Sequence, residues 1–206
     1  AIMQLKIRQS IQELETLSEQ WNQLLKNSAS HMPFLRYEYL INWWSTLGGG
    51  EWRQADLYVV AAYQEDNTLC GIAPLFLTKN KTGELALMLL GSIEVSDYLD
   101  IIVNPQHLQK FMDELFLNLS SESAPDWQVL DFYNIIEDSP SLVAMQTYAE
   151  KRGWTYHQEP IHHCPYIPLP GDWEAYLSRL DKKQRHEIRR KIRRVENSDL
   201  AVRWYI

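Results

Sequence analysis

The chain has 206 residues, 45% of them hydrophobic and 23% charged, with a mean hydropathy of −0.37; this excludes a disordered, collagen-like or low-complexity chain and is long enough for a core that needs neither disulfides nor metal. The apolar run Leu85 to Leu90 falls far short of the ~20 residues of a membrane span. The net charge of −7 conceals a split: residues 1–178 hold 10 Lys and Arg against 23 Asp and Glu, and residues 179–206 hold 10 against 4, so an acidic body precedes a basic end, as blocks with different partners do.

The opening AIMQLKIRQS lacks the apolar stretch and small-residue cleavage site of a signal peptide, and Cys70 and Cys164 form no CxxC; a reducing, cytoplasmic setting is expected. Gln4 to Gln9 alternates as a strand. Ile11, Leu14, Leu17, Trp21, Leu24 and Leu25 recur at helical spacing and predict a first helix over 11–26. Pro33 opens a second helix, with Phe34, Tyr37, Leu40, Ile41 and Trp44 on one face, which Gly48, Gly49 and Gly50 stop. LYVVAAY (57–63), LCGIAPLFLT (69–78) and ELALMLLGS (84–92), separated by QEDN and KNKTG, predict an antiparallel meander.

SDYLDIIV (96–103) reads as a short strand, Asn104-Pro105 as the start of a helix with Leu108, Phe111, Met112, Leu115, Phe116 and Leu119 on one face, and WQVLDFYNI (127–135) as a strand. Leu142 to Lys151 predicts a helix ended by Gly153. WTYHQEP and CPYIPLP read as strands bracketed by prolines, GDWEAYLSRL and DKKQRHEIRRKIRRVEN as helices, and LAVRWYI as the beginning of a strand. Eight or so strands and six helices without strict βαβ alternation give a mixed α/β or α+β fold. No repeat with a fixed period is present.

The helix at 181–197 is the strongest local feature. Asp181 and Gln184 have capping-box spacing, and Leu180, Ile188, Ile192 and Val195 make a narrow apolar stripe among Lys182, Lys183, Arg185, Arg189, Arg190, Lys191, Arg193 and Arg194. Like charges at i,i+4, such as Arg185–Arg189 and Arg190–Arg194, each cost a few tenths of a kcal/mol, so an anionic partner is expected nearby. Three compete: the acidic body itself, a phosphate-bearing ligand held by Arg forks, and nucleic acid, which an otherwise acidic body would repel.

His157, His162, His163 and Cys164 are the residues of metal-ligand type, but adjacent histidines on a strand point to opposite faces and the spacing matches no zinc run. GGG at 48–50 is not a phosphate loop, since no GK[ST] follows. SDYLD at 96–100 places two carboxylates and a phenol just after a strand end, where ligand groups commonly sit, although a polar turn would use the same residues. If the segment alternates, Asp97 and Leu99 share one face and Tyr98 and Asp100 the other. Eight Trp and eleven Tyr raise the prospect of a groove or interface.

The ordered set PFLRYEYLINWW (33–44), GIAPLFL (71–77), LLGSIEVSDYLDIIV (89–103) and PYIPLPGDWEAYLSRLDKKQRHEIRRKIRRVE (165–196) resembles the N-terminal half of the CelD-like, Fem-related acetyltransferases of the GNAT (general N-acetyltransferase) superfamily. The resemblance implies a GNAT-like mixed, largely antiparallel sheet flanked by helices over residues 1–178, and a basic helix with the first strand of a second, truncated GNAT-like domain over 179–206. It implies an N- or O-acyltransferase using acetyl-CoA or another acyl-CoA, or aminoacyl-tRNA as in the Fem-type relatives. The (Q/R)xxGx(G/A) loop that holds the cofactor pyrophosphate is absent from residues 1–206, so the cofactor is expected to bind mainly outside the chain, and the chain to be inactive alone. On this reading Asp97 and Tyr98 are the candidate catalytic residues. Asp100, Trp44, Arg185 and Arg189 are the candidate substrate-binding residues, for a small-molecule, glycan or peptide acceptor. The alternatives are a non-catalytic glycan- or peptide-binding domain, with Trp43, Trp44 or Trp52 as stacking groups, and tRNA contact through the basic helix.

Overall fold

A computed structural model describes residues 3–199 and 201. The chain forms two compact units, Ala1–Ile161 and His162–Ile206. The packing boundary thus lies ahead of the charge boundary at 178/179. It falls within a stretch, His157 to Leu169, in which every residue is exposed.

Unit 1 is α+β: a mostly antiparallel sheet flanked by helices. β1 (Gln4–Arg8), β2 (Ala55–Tyr63), β3 (Leu69–Lys79) and β4 (Leu85–Leu89) pair antiparallel in sequence order. β5 (Ile102–Val103) pairs with the start of β3, and β6 (Val129–Leu130) joins β4 in parallel. The meander follows the sequence because both its turns are tied locally: Gln64 N–H donates to Thr68 O at 2.9 Å, and Asn80 N–H to Glu84 O at 2.9 Å.

β3 is apolar without alternation because both of its faces are covered. Gly71 lies under helix α4 (Leu108–Leu119), where a Cβ would come 2.6 Å from the Phe111 ring; only glycine admits that approach. Phe76, on the opposite face, is fully buried and lies 5.3 Å from Trp43, 6.1 Å from Trp44 and 5.7 Å from Trp52 between ring centroids. α5 (Pro140–Arg152) packs on α4 through Phe116 and Tyr148, stacked at 4.5 Å, and Trp154 and Trp127 extend this aromatic layer.

The expected first helix is two: α1 (Ile11–Glu15), opened by a capping box between Ser10 and Glu13, and α2 (Ser18–Lys26). Thr16 Oγ1 donates to Glu13 O at 2.7 Å and Leu17 N–H donates to Leu14 O at 2.9 Å. This tightens the end of α1, so that Leu14, Leu17 and Trp21 are all buried. Helix α3 (Tyr37–Gly50) follows a short 3-10 turn at Pro33–Leu35; its backbone turns left-handed at Leu47, Gly48 and Gly49.

Four expected strands are shorter or missing. Only Ile102–Val103 of 96–103 and Val129–Leu130 of 127–135 pair, and WTYHQEP and CPYIPLP make no ladder. A strand requires a partner edge, and Pro160, Pro165, Pro168 and Pro170 lack the donors to make one. LAVRWYI, apart from Ala201, lies outside the described residues.

Unit 2 contains α6 (Trp173–Arg179) and α7 (Lys182–Glu196). Asp172 caps α6 by accepting from Ala175 N–H at 2.7 Å, and Asp181 caps α7 by accepting from Lys183 N–H and Gln184 N–H at 2.8 and 2.9 Å. Leu177 is completely buried, and Trp173 stacks on Tyr176 at 5.4 Å.

Candidate functional site

The β4–β6 pairing is the parallel one of the described sheet, and the carboxyl ends of parallel strands are where ligands of α/β sheets collect. Two irregular segments leave this end of unit 1: residues 90–101 after β4 and residues 131–138 after β6. Asn134 joins them. Its Nδ2 donates to Ile93 O at 2.9 Å and Ser96 O at 2.6 Å, and its backbone oxygen accepts from Leu99 N–H at 2.9 Å. Asn134 has φ 62°, a conformation asparagine tolerates better than most residues.

The rest of the 90–101 backbone is held from the helical side. Tyr39 OH donates to Val95 O at 2.6 Å and lies 3.0 Å from Ser96 Oγ. Trp52 Nε1 donates to Ser92 O at 2.8 Å, and Glu51 Oε2 accepts from Ile93 N–H at 3.3 Å. Gly91, at φ 102°, has no room for a side chain: a Cβ would meet Leu99 Cδ2 at 2.8 Å. The Ser92–Ile93 peptide is cis.

Asp100 anchors the end of this loop. It is 1% exposed; Ser30 Oγ and Ser139 Oγ both donate to Oδ2 at 2.5 Å, and Ile101 N–H donates to Oδ1 at 2.8 Å. Ser139 is also the N-cap of α5, so the carboxylate sits at a helix N-terminus, where negative charge is favoured. Burial nevertheless pushes the Asp100 carboxyl above the usual range, against the hydroxyls of Ser139 and Ser30. The expected role of Asp100 in holding substrate is replaced by a structural one, because its oxygens face protein donors and not solvent. The expected alternation across 97–100 is absent as well: Leu99 and Asp100, neighbours in sequence, are both buried, since the segment is a pinned loop and not a strand.

What the loop presents outward is Glu94, Val95 and Asp97, all exposed, with Tyr98 half-buried. Lys81 lies 3.6 Å from Glu51 and 3.4 Å from Glu94, leaving a rim with more carboxylates than cations. Nearby Asp131, which accepts from Asn80 Nδ2 at 2.9 Å, and Tyr133 both have their pKa raised, chiefly by burial. Such a rim favours a cationic or neutral group over an anion.

Trp43 and Trp52 are buried in the core and have no face for ligand stacking. Trp44 is half-buried and packs against the core beside Phe76. On α7, Arg189 pairs with Glu174 at 2.6 Å, while Arg190 forms a two-pronged contact with Glu187 at 2.9 and 2.7 Å; part of the basic face is therefore neutralised within unit 2. Arg185 is half-buried. His162, His163 and Cys164 lie in the exposed stretch, as does His157, 3.6 Å from Glu159.

The helix N-terminus that meets the 90–101 loop is that of α5, and Asp100 already occupies it. Asn134, Tyr39, Glu51 and Lys81 were not legible as site residues, because each reaches the loop from a distant part of the chain.

No family model, no curated protein and no solved structure matches the chain. No helix among the described residues is long and apolar enough to cross a membrane.

Proposed function

We propose that the chain supplies the acceptor side of an N- or O-acyltransferase of the CelD-like, Fem-related kind that its ordered motifs resemble. The observation that carries this reading is the 90–101 loop: a backbone held by Asn134, Tyr39 and Trp52 with Asp97 exposed and Tyr98 half-buried upon it. A rigid mount is what a proton-transferring side chain requires, because positioning within a fraction of an ångström decides its efficiency. Asp97 accepts the proton of an incoming amine or hydroxyl, and Tyr98 orients that group. The carboxylate-rich rim of Glu51, Glu94 and Asp97 favours a primary amine.

Unit 1 takes the acceptor alone, and the acyl donor is assigned to residues outside it. The test is thiol release from acetyl-CoA by the protein that carries this chain, in the presence of ethanolamine, glucosamine or lysine. Amine-dependent release is the expected result. A rate that no amine raises above the acceptor-free rate overturns the reading.

A further inference from the structure

The turn end of the β2–β3 hairpin borders a separate open cleft of about 580 Å3, within the ~300–1,000 Å3 range of small-molecule sites. It shares no residue with the 90–101 loop. Three rigid pieces wall it. Gln20 and Gln23 on α2, with Asn27 at its C-terminal cap donating from Nδ2 to Gln23 O at 3.3 Å, line one side. Gln64 and Asn67 come from the turn closed by Asn67 N–H to Gln64 O at 3.0 Å. Gln106 and His107 come from the turn that Asn104 ties by accepting from Gln106 N–H at 3.1 Å. Leu24 and Leu69, both buried, contribute an apolar floor.

The chemistry of this lining is narrow. Among the described residues that line the cleft there is no Lys or Arg, and Glu19 is the one carboxylate. Apart from the His107 imidazole, the lining offers a phosphate or carboxylate ligand no cationic group, which makes its entry costly. Each amide instead offers a carbonyl acceptor beside two N–H donors. That set matches hydroxyl groups, each of which donates and accepts, while the apolar floor suits the C–H face of a sugar ring.

We propose that this cleft binds a neutral polyhydroxylated small molecule, the size of one or two sugar rings. The proposal stands independently of the acyl-transfer reading. Titrating the 15N-labelled protein with D-glucose, N-acetyl-D-glucosamine and cellobiose, with glucose 6-phosphate as the charged counterpart, tests it. At least one neutral sugar is expected to give saturable amide shifts confined to residues 19–27, 64–70 and 104–107. Gln23→Ala and Gln64→Ala are each expected to weaken that affinity about two- to tenfold, one lost hydrogen bond apiece, with unchanged melting temperatures. Glucose 6-phosphate is expected to bind less tightly than glucose. The proposal is overturned by an absence of shifts with all three neutral sugars, by shifts centred elsewhere, by unchanged affinity in both variants, or by tighter binding of the phosphate ester.

Discussion

Asn134 Nδ2 donates to Ser96 O across 2.6 Å, joining the segment after β6 to the loop after β4 where the parallel pair ends. The contact spans 38 residues and, with Ile93 O as the second acceptor, ties the Asp97 loop together with Tyr39 and Trp52, which bond to Val95 O and Ser92 O. Asn134→Ala leaves two partly buried carbonyls without their donor and places alanine at φ 62°. A loss of about 2–3 kcal/mol in urea unfolding is expected. Asn134→Gly, free of the φ penalty, should recover about 1 kcal/mol of it.

Asp100 makes stability depend on pH in a defined direction. Its carboxyl is raised in the folded protein by burial, so on raising the pH the unfolded chain releases this proton first, near pH ~3.9. The favourable contribution is complete below that value and is lost as the pH climbs through the folded pKa. Asp100→Asn removes the dependence. The unfolding free energy of Asp100→Asn relative to wild type is therefore expected to rise as the pH climbs above the unfolded-state value. A difference that stays flat, or falls, would contradict the assignment.

Ser139 has two duties, capping α5 and donating to Asp100. Ser139→Ala should cost about 2 kcal/mol, the sum of a lost cap and a lost hydrogen bond to a buried carboxyl. Ser30→Ala, which removes only a donor to Asp100, should cost less when the two are compared in the same unfolding series.

Gly71 and Phe111 form a tight contact between sheet and helix. Gly71→Ala would push a methyl into the Phe111 ring, 2.6 Å away, at a cost of about 1–3 kcal/mol. Combining it with Phe111→Leu should cost less than the sum of the two single changes, and a double-mutant cycle reads this directly.

Much of the sheet was legible because its determinants are local. QEDN and KNKTG separate apolar runs that can only pair as neighbours, and Asn104-Pro105 and Gly153 mark helix ends by their own conformational preferences. The errors arose where a distant partner decides. WTYHQEP and CPYIPLP have the composition of strands, yet no sheet edge receives them. The 11–26 periodicity continues straight through Leu17, although α1 ends at Glu15 and Leu17 N–H bonds to Leu14 O in a tighter turn. In the candidate site, SDYLD was legible as a post-strand cluster of chemical groups. Which of its carboxylates is buried depends on Ser30 and Ser139, 70 and 39 residues away, and no local pattern carries that.

The basic helix has its own discriminating experiment. If Arg185 holds an anionic cofactor group, coenzyme A binds the wild type more tightly than Arg185→Ala, and the gap narrows as salt is added. Equal affinities at low salt would leave the basic face as an intramolecular partner of carboxylates such as Glu174 and Glu187, which already engage Arg189 and Arg190.

Asp97 is the proposed proton acceptor on the pinned loop, and turnover of Asp97→Asn in the protein that carries this chain tests that role. Asp97 is exposed, so the variant should unfold at the wild-type urea concentration. Its amine-dependent release of thiol from acetyl-CoA should nevertheless fall about a hundredfold or more, the contribution of a positioned general base. Wild-type turnover in Asp97→Asn at an unchanged unfolding midpoint would contradict the account.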